Sequence, residues 1–252
     1  MDDQRRDAET LAEQVGPARD DPGGQPLPDT PLHTPPREPL DHELRIIKDA
    51  VLRMGSLVEE QIRRALDALV GHDADGALAV ILDDGRINEA QQSASGLITV
   101  TIATQQPVAR DLRFLLALDH VTYELERIGD HAAAVAKQAR KMAPYPPLKR
   151  YVDLPRMGQL AAELVRGIIR ALVDIDTAEA RQVAARDDEI DHLYRRVVDE
   201  VLDLMRADPA NVDRGVAILF AAHALERIGD RVTNIAEDIV FLATGQIEDL
   251  NP

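Results

Sequence analysis

One hexapeptide occurs twice in this chain. Leu125-Glu-Arg-Ile-Gly-Asp130 returns unchanged as Leu225-Glu-Arg-Ile-Gly-Asp230, displaced by 100 residues. Upstream the echo is looser, with Asp84-Gly-Arg-Ile-Asn88 set against Asp187-Asp-Glu-Ile-Asp191. Chance explains such a match poorly and duplication of a structural unit explains it well. The two halves must therefore fold alike, and the fold must accommodate the same motif twice.

Hydrophobic periodicity says what the unit is. From Asp41 onward apolar residues recur at three- and four-residue spacing, as in Leu44, Ile47, Val51, Met54 and Val58, which is the signature of one helical face. A first helix is expected from about His42 to Val70, ended by Gly71-His-Asp-Ala-Asp-Gly76. A second runs from about Ala77 to Ala103, and Pro107 suits the opening of a third, from about Val108 to Met142. Pro144-Tyr-Pro-Pro147 forbids helix and separates the halves. Asp153-Leu-Pro155 reads as a cap with proline in the first turn, opening a fourth helix to about Val173. Asp176-Thr-Ala-Glu179 resembles a capping box and starts a fifth, which ends near Ala207-Asp-Pro209. A sixth spans about Val212 to Ala243 and stops at Gly245, suited to a left-handed cap.

The expectation is an all-α fold of two tandem, structurally similar antiparallel three-helix bundles. The first bundle covers 41–143 and the second 153–245, with a Pro-rich linker at 144–152 and a C-terminal tail at 246–252. Residues 1–40 hold eight of the fifteen prolines and little apolar surface, so this segment reads as a disordered tail.

Composition narrows function by exclusion. With no cysteine, disulfides and thiolate metal sites are impossible, and any metal must take oxygen or imidazole ligands. A formal charge of −16 repels nucleic-acid phosphates and anionic lipid, which argues against both as partners. No secretory signal and no spanning helix is read, so a cytoplasmic location is expected. Phosphate-loop, dinucleotide, nucleophile-elbow and zinc-protease motifs are absent, and no catalytic role is expected.

The acidic residues carry the remaining chemistry. Glu126 and Asp130 are four apart, as are Glu226 and Asp230, so each pair shares one helical face. At about 100° per residue, Glu226, Asp230 and Glu237 fall within roughly 40° of one another. The middle helices supply Asp187 with Asp191, and Asp84 with the uncharged Asn88. A single exposed pair costs a helix only about 0.2–0.5 kcal/mol, so a solvated acidic stripe is the bland reading of any one. Facing pairs from adjacent helices differ, because converging carboxylates raise one another's pKa or recruit a cation. Such a site suits Mg²⁺, Ca²⁺, Mn²⁺ or oxygen-ligated iron.

Gly129 and Gly229, each inside a helix at a cost of about 1 kcal/mol relative to alanine, suggest close helix packing. Arg127 and Arg227 are expected to point away from the acidic face. Glu189-Ile-Asp-His192 is an E-x-x-H element of the kind used twice in di-iron bundles, but it occurs once.

These residues resemble the PhoU family, regulators associated with the bacterial high-affinity phosphate transporter. The likeness is carried by Glu226-Arg-Ile-Gly-Asp-Arg-Val-Thr-Asn-Ile-Ala-Glu-Asp238 with Phe241-Leu-Ala-Thr-Gly245, and supported by Leu125–His131 and Ala109-Arg-Asp-Leu-Arg113. The resemblance implies a pair of three-helix bundles and surface metal clusters held by E(D)-x-x-x-D motifs. By position these are Glu126 with Asp130 and Asp187 with Asp191, then Glu226 with Asp230 and Asp84 with position 88. The metal implied is a divalent or trivalent ion: iron, zinc, manganese or magnesium. Asn88 departs from the acidic pattern.

The resemblance further implies a negative regulator of the phosphate-starvation response, and a homodimer or larger assembly is expected. It would sit between the phosphate ABC transporter, through its ATPase subunit, and a phosphate-sensing histidine kinase. The alternatives are a carboxylate-bridged metal enzyme, a metal-free helical adaptor, and a transport chaperone with no signalling role.

Overall fold

Helix-forming residues and caps lay down eight α-helices among the described residues of the computed structural model, which are 38–148 and 151–250. Of the tail expected to be disordered, 1–40, residues 1–37 lie outside them and 38–40 are helical. Helix α1 spans Glu38–Gly71, α2 Ala74–Asp83, α3 Gly85–Gln105 and α4 Arg110–Met142. The second repeat follows with α5 Asp153–Asp174, α6 Thr177–Ala184, α7 Asp187–Ala207 and α8 Val212–Thr244, a 3₁₀ turn at Pro209–Asn211 preceding α8. No strand occurs among the described residues.

The duplication extends further than the hexapeptide. Met54-Gly55 matches Met157-Gly158, and Asp84 matches Asp187, both displaced by 103 residues. The joints match too. His72 and Ile175, both at positive φ (52° and 51°), end α1 and α5, and Asp73 and Asp176 cap the next helices. Asp73 Oδ1 accepts from Asp75 and Gly76 amides, and Asp176 Oδ1 from those of Ala178 and Glu179. Only half of the expected capping box forms at the second joint, because Glu179 takes Arg170 instead (2.5 Å).

Each expected middle helix is two helices. The first is interrupted at Asp84 and the second at Ala185–Arg186, equivalent places in the two repeats. Asp84 becomes the N-cap of α3, and Asp187 the first residue of α7. The partial positive charge of a helix N-terminus favours a carboxylate at both positions. Other boundaries moved for local reasons. The first helix begins at Glu38, with Pro39 tolerated in its opening turn. Asp153 lies inside α5 and binds Arg196 (3.0 Å) instead of capping. Gly245 does take the left-handed cap, at φ 74°.

The repeats share one continuous apolar core, from Ile47 on α1 to Leu242 on α8, so the described residues form one body. Two seams join them. Along α1 and α5, a Cβ on Gly55 would lie 2.6 Å from Ile169 Cδ1, and one on Gly158 would lie 2.7 Å from Leu66 Cδ1. These reciprocal contacts reflect an approximate twofold relation between the repeats. The other seam, α4 against α8, is the most extensive helix contact in the molecule.

Polar residues in that second seam break the twofold. Glu124, 2 % exposed, accepts from Arg231 (3.4 Å) and Asn234 (3.2 Å). His120 Nδ1 meets Asp238 at 2.7 Å, and its Nε2 lies 3.5 Å from Glu124. The equivalents of Glu124, Asn234 and His120 are Ala224, Ala134 and Phe220, so duplicated helices have diverged into complementary partners.

Burial pushes the Asp238 carboxyl up to about 6 despite the opposing hydrogen bond and charge of His120. A carboxyl raised in the fold destabilises it once ionised, so this contribution to stability is lost as pH rises through about 6. Asp238→Asn is expected to gain roughly 1–3 kcal/mol at pH 7.5, shrinking as pH falls from 6 towards 4; paired urea titrations of variant and wild type across that range check it.

Candidate metal centre

In each repeat the last helix, α4 or α8, supplies one acidic pair, and the start of the second part of the broken middle helix, α3 or α7, faces it. The spacing of four puts Glu226 and Asp230 on one side of α8, and the break before Asp187 aims the first turn of α7 at them. Asp187 is 5 % exposed. Its carboxyl is pushed up to about 7, first by burial and then by the charges of Asp230, Asp191 and Glu226. Burial and Asp230 also raise Glu226; burial is the main cause for Asp191. All four carboxylates named for the second repeat are thus brought together.

In the first repeat Glu126 is raised by burial, by Asp130 and by Asp84. Three carboxylates face one another there, and Asn88 occupies the place of Asp191 with its buried carbonyl oxygen accepting no hydrogen bond among the described residues. Facing carboxylates come from the same repeat in both cases.

The glycines are explained by what sits against them. A Cβ on Gly229 would overlap Asp187 Oδ1, so glycine here is the condition for that carboxylate to reach α8. On Gly129 a Cβ would lie 3.1 Å from both Gln61 Oε1 and Ile87 Cδ1. Gln61, on α1, also donates from Nε2 to Asp84 Oδ1 at 2.9 Å. Nothing in the sequence pattern singled out Gln61, since its helix carries no part of the motif.

Arg127 and Arg227 do not point away. Their long side chains fold back, Arg127 onto Asp130 (3.0 Å) and Glu126 (3.3 Å), and Arg227 onto Asp230. Arg127 also lies over the Tyr123 ring, 4.9 Å from its centre. His223 Nδ1 is 3.2 Å from Glu226 Oε2. Flexible arms can neutralise a pair on their own helix, which backbone spacing alone does not reveal. His192 is exposed and Glu189 pairs with Arg186 (3.4 Å), so the E-x-x-H element stands outside the cluster.

A cavity of about 530 Å³ adjoins the second cluster, lined by Arg227, Asp230, Glu237 and the chain after α8. That chain is pinned back on the body. Glu248 receives two hydrogen bonds from Arg181 (3.0 and 2.7 Å), and the Leu250 amide donates to Glu237 (3.0 Å). A seven-residue tail without regular pattern carried no signal of this.

The donor set fits a hard cation. It consists of carboxylates with neighbouring amide oxygens; burial first, and then nearby acids, raise Glu126, Asp187, Asp191 and Glu226, which is a state that a bound cation relieves. Among the described residues no three acidic or imidazole groups form a ready coordination shell as they stand. Arg127 holds Asp130 and Arg227 holds Asp230 in this arrangement.

Fold and site together define a duplicated three-helix protein with one carboxylate cluster per repeat. The family model described as PhoU domain matches residues 51–139 and 154–239. A phosphate-specific transport system accessory protein PhoU homolog of Clostridium acetobutylicum is 34% identical over 216 residues, covering 85% of this chain and 99% of its own. One from Xylella fastidiosa strain 9a5c is 36% identical over 206 residues, covering 82% and 87%. The crystal structure of PhoU from Pseudomonas aeruginosa superposes with a TM-score of 0.79 at 32% identity, over 82% of this chain and all of that one (100%). The phosphate transport system regulatory protein PhoU from Streptococcus pneumoniae gives 0.76 at 30%, over 83% and 99%. This chain belongs to the PhoU family.

Glycine-to-alanine substitutions test the packing of the site. Gly96 faces open space, so Gly96→Ala is expected to gain up to about 1 kcal/mol. Gly229→Ala must displace a buried carboxylate and is expected to cost roughly 1–2 kcal/mol instead. Urea unfolding of the two variants beside wild type gives both signs.

Proposed function

We propose that this chain is a regulatory accessory protein of phosphate uptake that restrains the phosphate-starvation response. The reading is supported by its relatives, named as accessory proteins of the phosphate-specific transport system. In it, the chain links the ATPase subunit of a phosphate transporter to a phosphate-sensing kinase by docking of helix faces, with no covalent step of its own. Among the described residues no helix is long and apolar enough to cross a membrane, so contact with the transporter is a docking contact.

Glu126, Asp130 and Asp84 would hold a cation in the first repeat, and Glu226, Asp230, Asp187 and Asp191 one in the second. A bound ion would neutralise the converging carboxylates. The observation that carries this part is the convergence of four partly buried carboxylates on α7 and α8, since such a group is costly without a counter-charge.

Two experiments test the proposal. Deleting the gene is expected to raise a phosphate-starvation reporter, such as secreted alkaline phosphatase, in phosphate-rich medium; normal repression would overturn the negative-regulator role. Elemental analysis of protein purified without added metal is expected to show a bound ion that Glu226→Ala and Asp230→Ala reduce. Equal metal content in those variants would remove the ligand assignment.

A further inference from the structure

We propose that the side-chain carbonyl of Gln61 is a ligand of the first repeat's cation site. It sits against the helical glycine where the second repeat has the Asp187 carboxylate, and it makes the two repeats unequal in cation affinity. The inference rests on reading the clusters as cation sites.

Gln61 is 4 % exposed. Its Nε2 donates to Asp84 Oδ1 at 2.9 Å, and this bond sets the amide's orientation, because the flipped amide would press its oxygen against a carboxylate oxygen. Oε1 therefore faces α4 at Gly129, the residue before Asp130, 3.1 Å from where a Cβ would stand. This oxygen is buried and accepts no hydrogen bond among the described residues. A buried carbonyl left in that state is costly, and an apolar side chain would avoid the cost. The second repeat shows that alternative: Leu164 stands at the equivalent position, 103 residues on. There the seat against the helical glycine is taken by Asp187 itself. In the first repeat Gln61 occupies the seat and holds Asp84 beside it.

The two oxygen sets consequently differ. The second repeat offers four carboxylates, Asp187, Asp191, Glu226 and Asp230; the first offers three, Asp84, Glu126 and Asp130, with the neutral carbonyls of Gln61 and Asn88. Ligand charge count sets the affinity of oxygen sites for hard cations, so the second repeat binds more tightly.

The test is a titration of chelator-stripped full-length protein with Mn²⁺, free ion being counted by electron paramagnetic resonance. Wild type is expected to show a tight and a weaker class of site. Gln61→Leu should weaken the weaker class about tenfold or more and leave the tight class alone. Its unfolding midpoint should stay at or above that of wild type, as Leu164 leads one to expect. Gln61→Glu should strengthen the weaker class, and Asp187→Asn should weaken only the tight one. If Gln61→Leu and Gln61→Glu leave both classes unchanged while Glu126→Ala abolishes one, Gln61 is no ligand and the cation reading stands. If wild type binds no Mn²⁺, the cation reading itself falls, and the role of Gln61 with it.

Discussion

The antiparallel packing of α4 against α8 positions almost everything else in this molecule. The two helices meet along their length, and the two copies of the hexapeptide lie opposite one another near the middle. Polar groups are costly in such a seam unless each finds a partner. Glu124 is buried there and is satisfied by Arg231 and Asn234, with His120 and Asp238 beside it. Complementarity of this kind ties one repeat to the other in a single register. A duplicated chain needs such a device, because two identical repeats would pack equally well in several ways.

With the seam fixed, the outer sides of α4 and α8 face the middle helices of their own repeats, and the acidic clusters arise there. The clusters depend on closeness. An interior glycine removes the Cβ, a carboxylate or a carboxamide moves in, and the low local dielectric strengthens every charge it meets. Burial is the first cause of the raised Asp187, Asp191, Glu226 and Glu126 carboxyls, ahead of their mutual repulsion. The folded-back arginines supply counter-charge meanwhile. A chain carrying −16 overall thus keeps its most concentrated acids only partly offset by its own arginines.

Much of this was legible in the sequence because its physical origin is local. Helical periodicity follows from 3.6 residues per turn, the prolines at 144–147 forbid helix wherever they stand, and residues four apart share a face in any helix. Those facts, with the repeated Leu-Glu-Arg-Ile-Gly-Asp, determined the helix plan, the duplication and the candidate acids Glu126, Asp130, Glu226 and Asp230. The resemblance to PhoU proteins was carried by the same residues, and family membership agrees with it.

Tertiary structure alone decided the rest, since it depends on groups brought together from distant parts of the chain. The breaks at Asp84 and at Ala185–Arg186 set acids at helix starts where a continuous apolar pattern suggested one long helix. The reach of Arg127 and Arg227 back over their own acids is a matter of side-chain torsions, which spacing does not encode. Gln61 entered the first cluster from a helix with no motif, 65 residues before Glu126, because α1 happens to cross α4 at Gly129. The sequence by itself determined which faces exist; only packing decided which faces meet, because contact between distant segments is set by the whole core and not by any stretch of it.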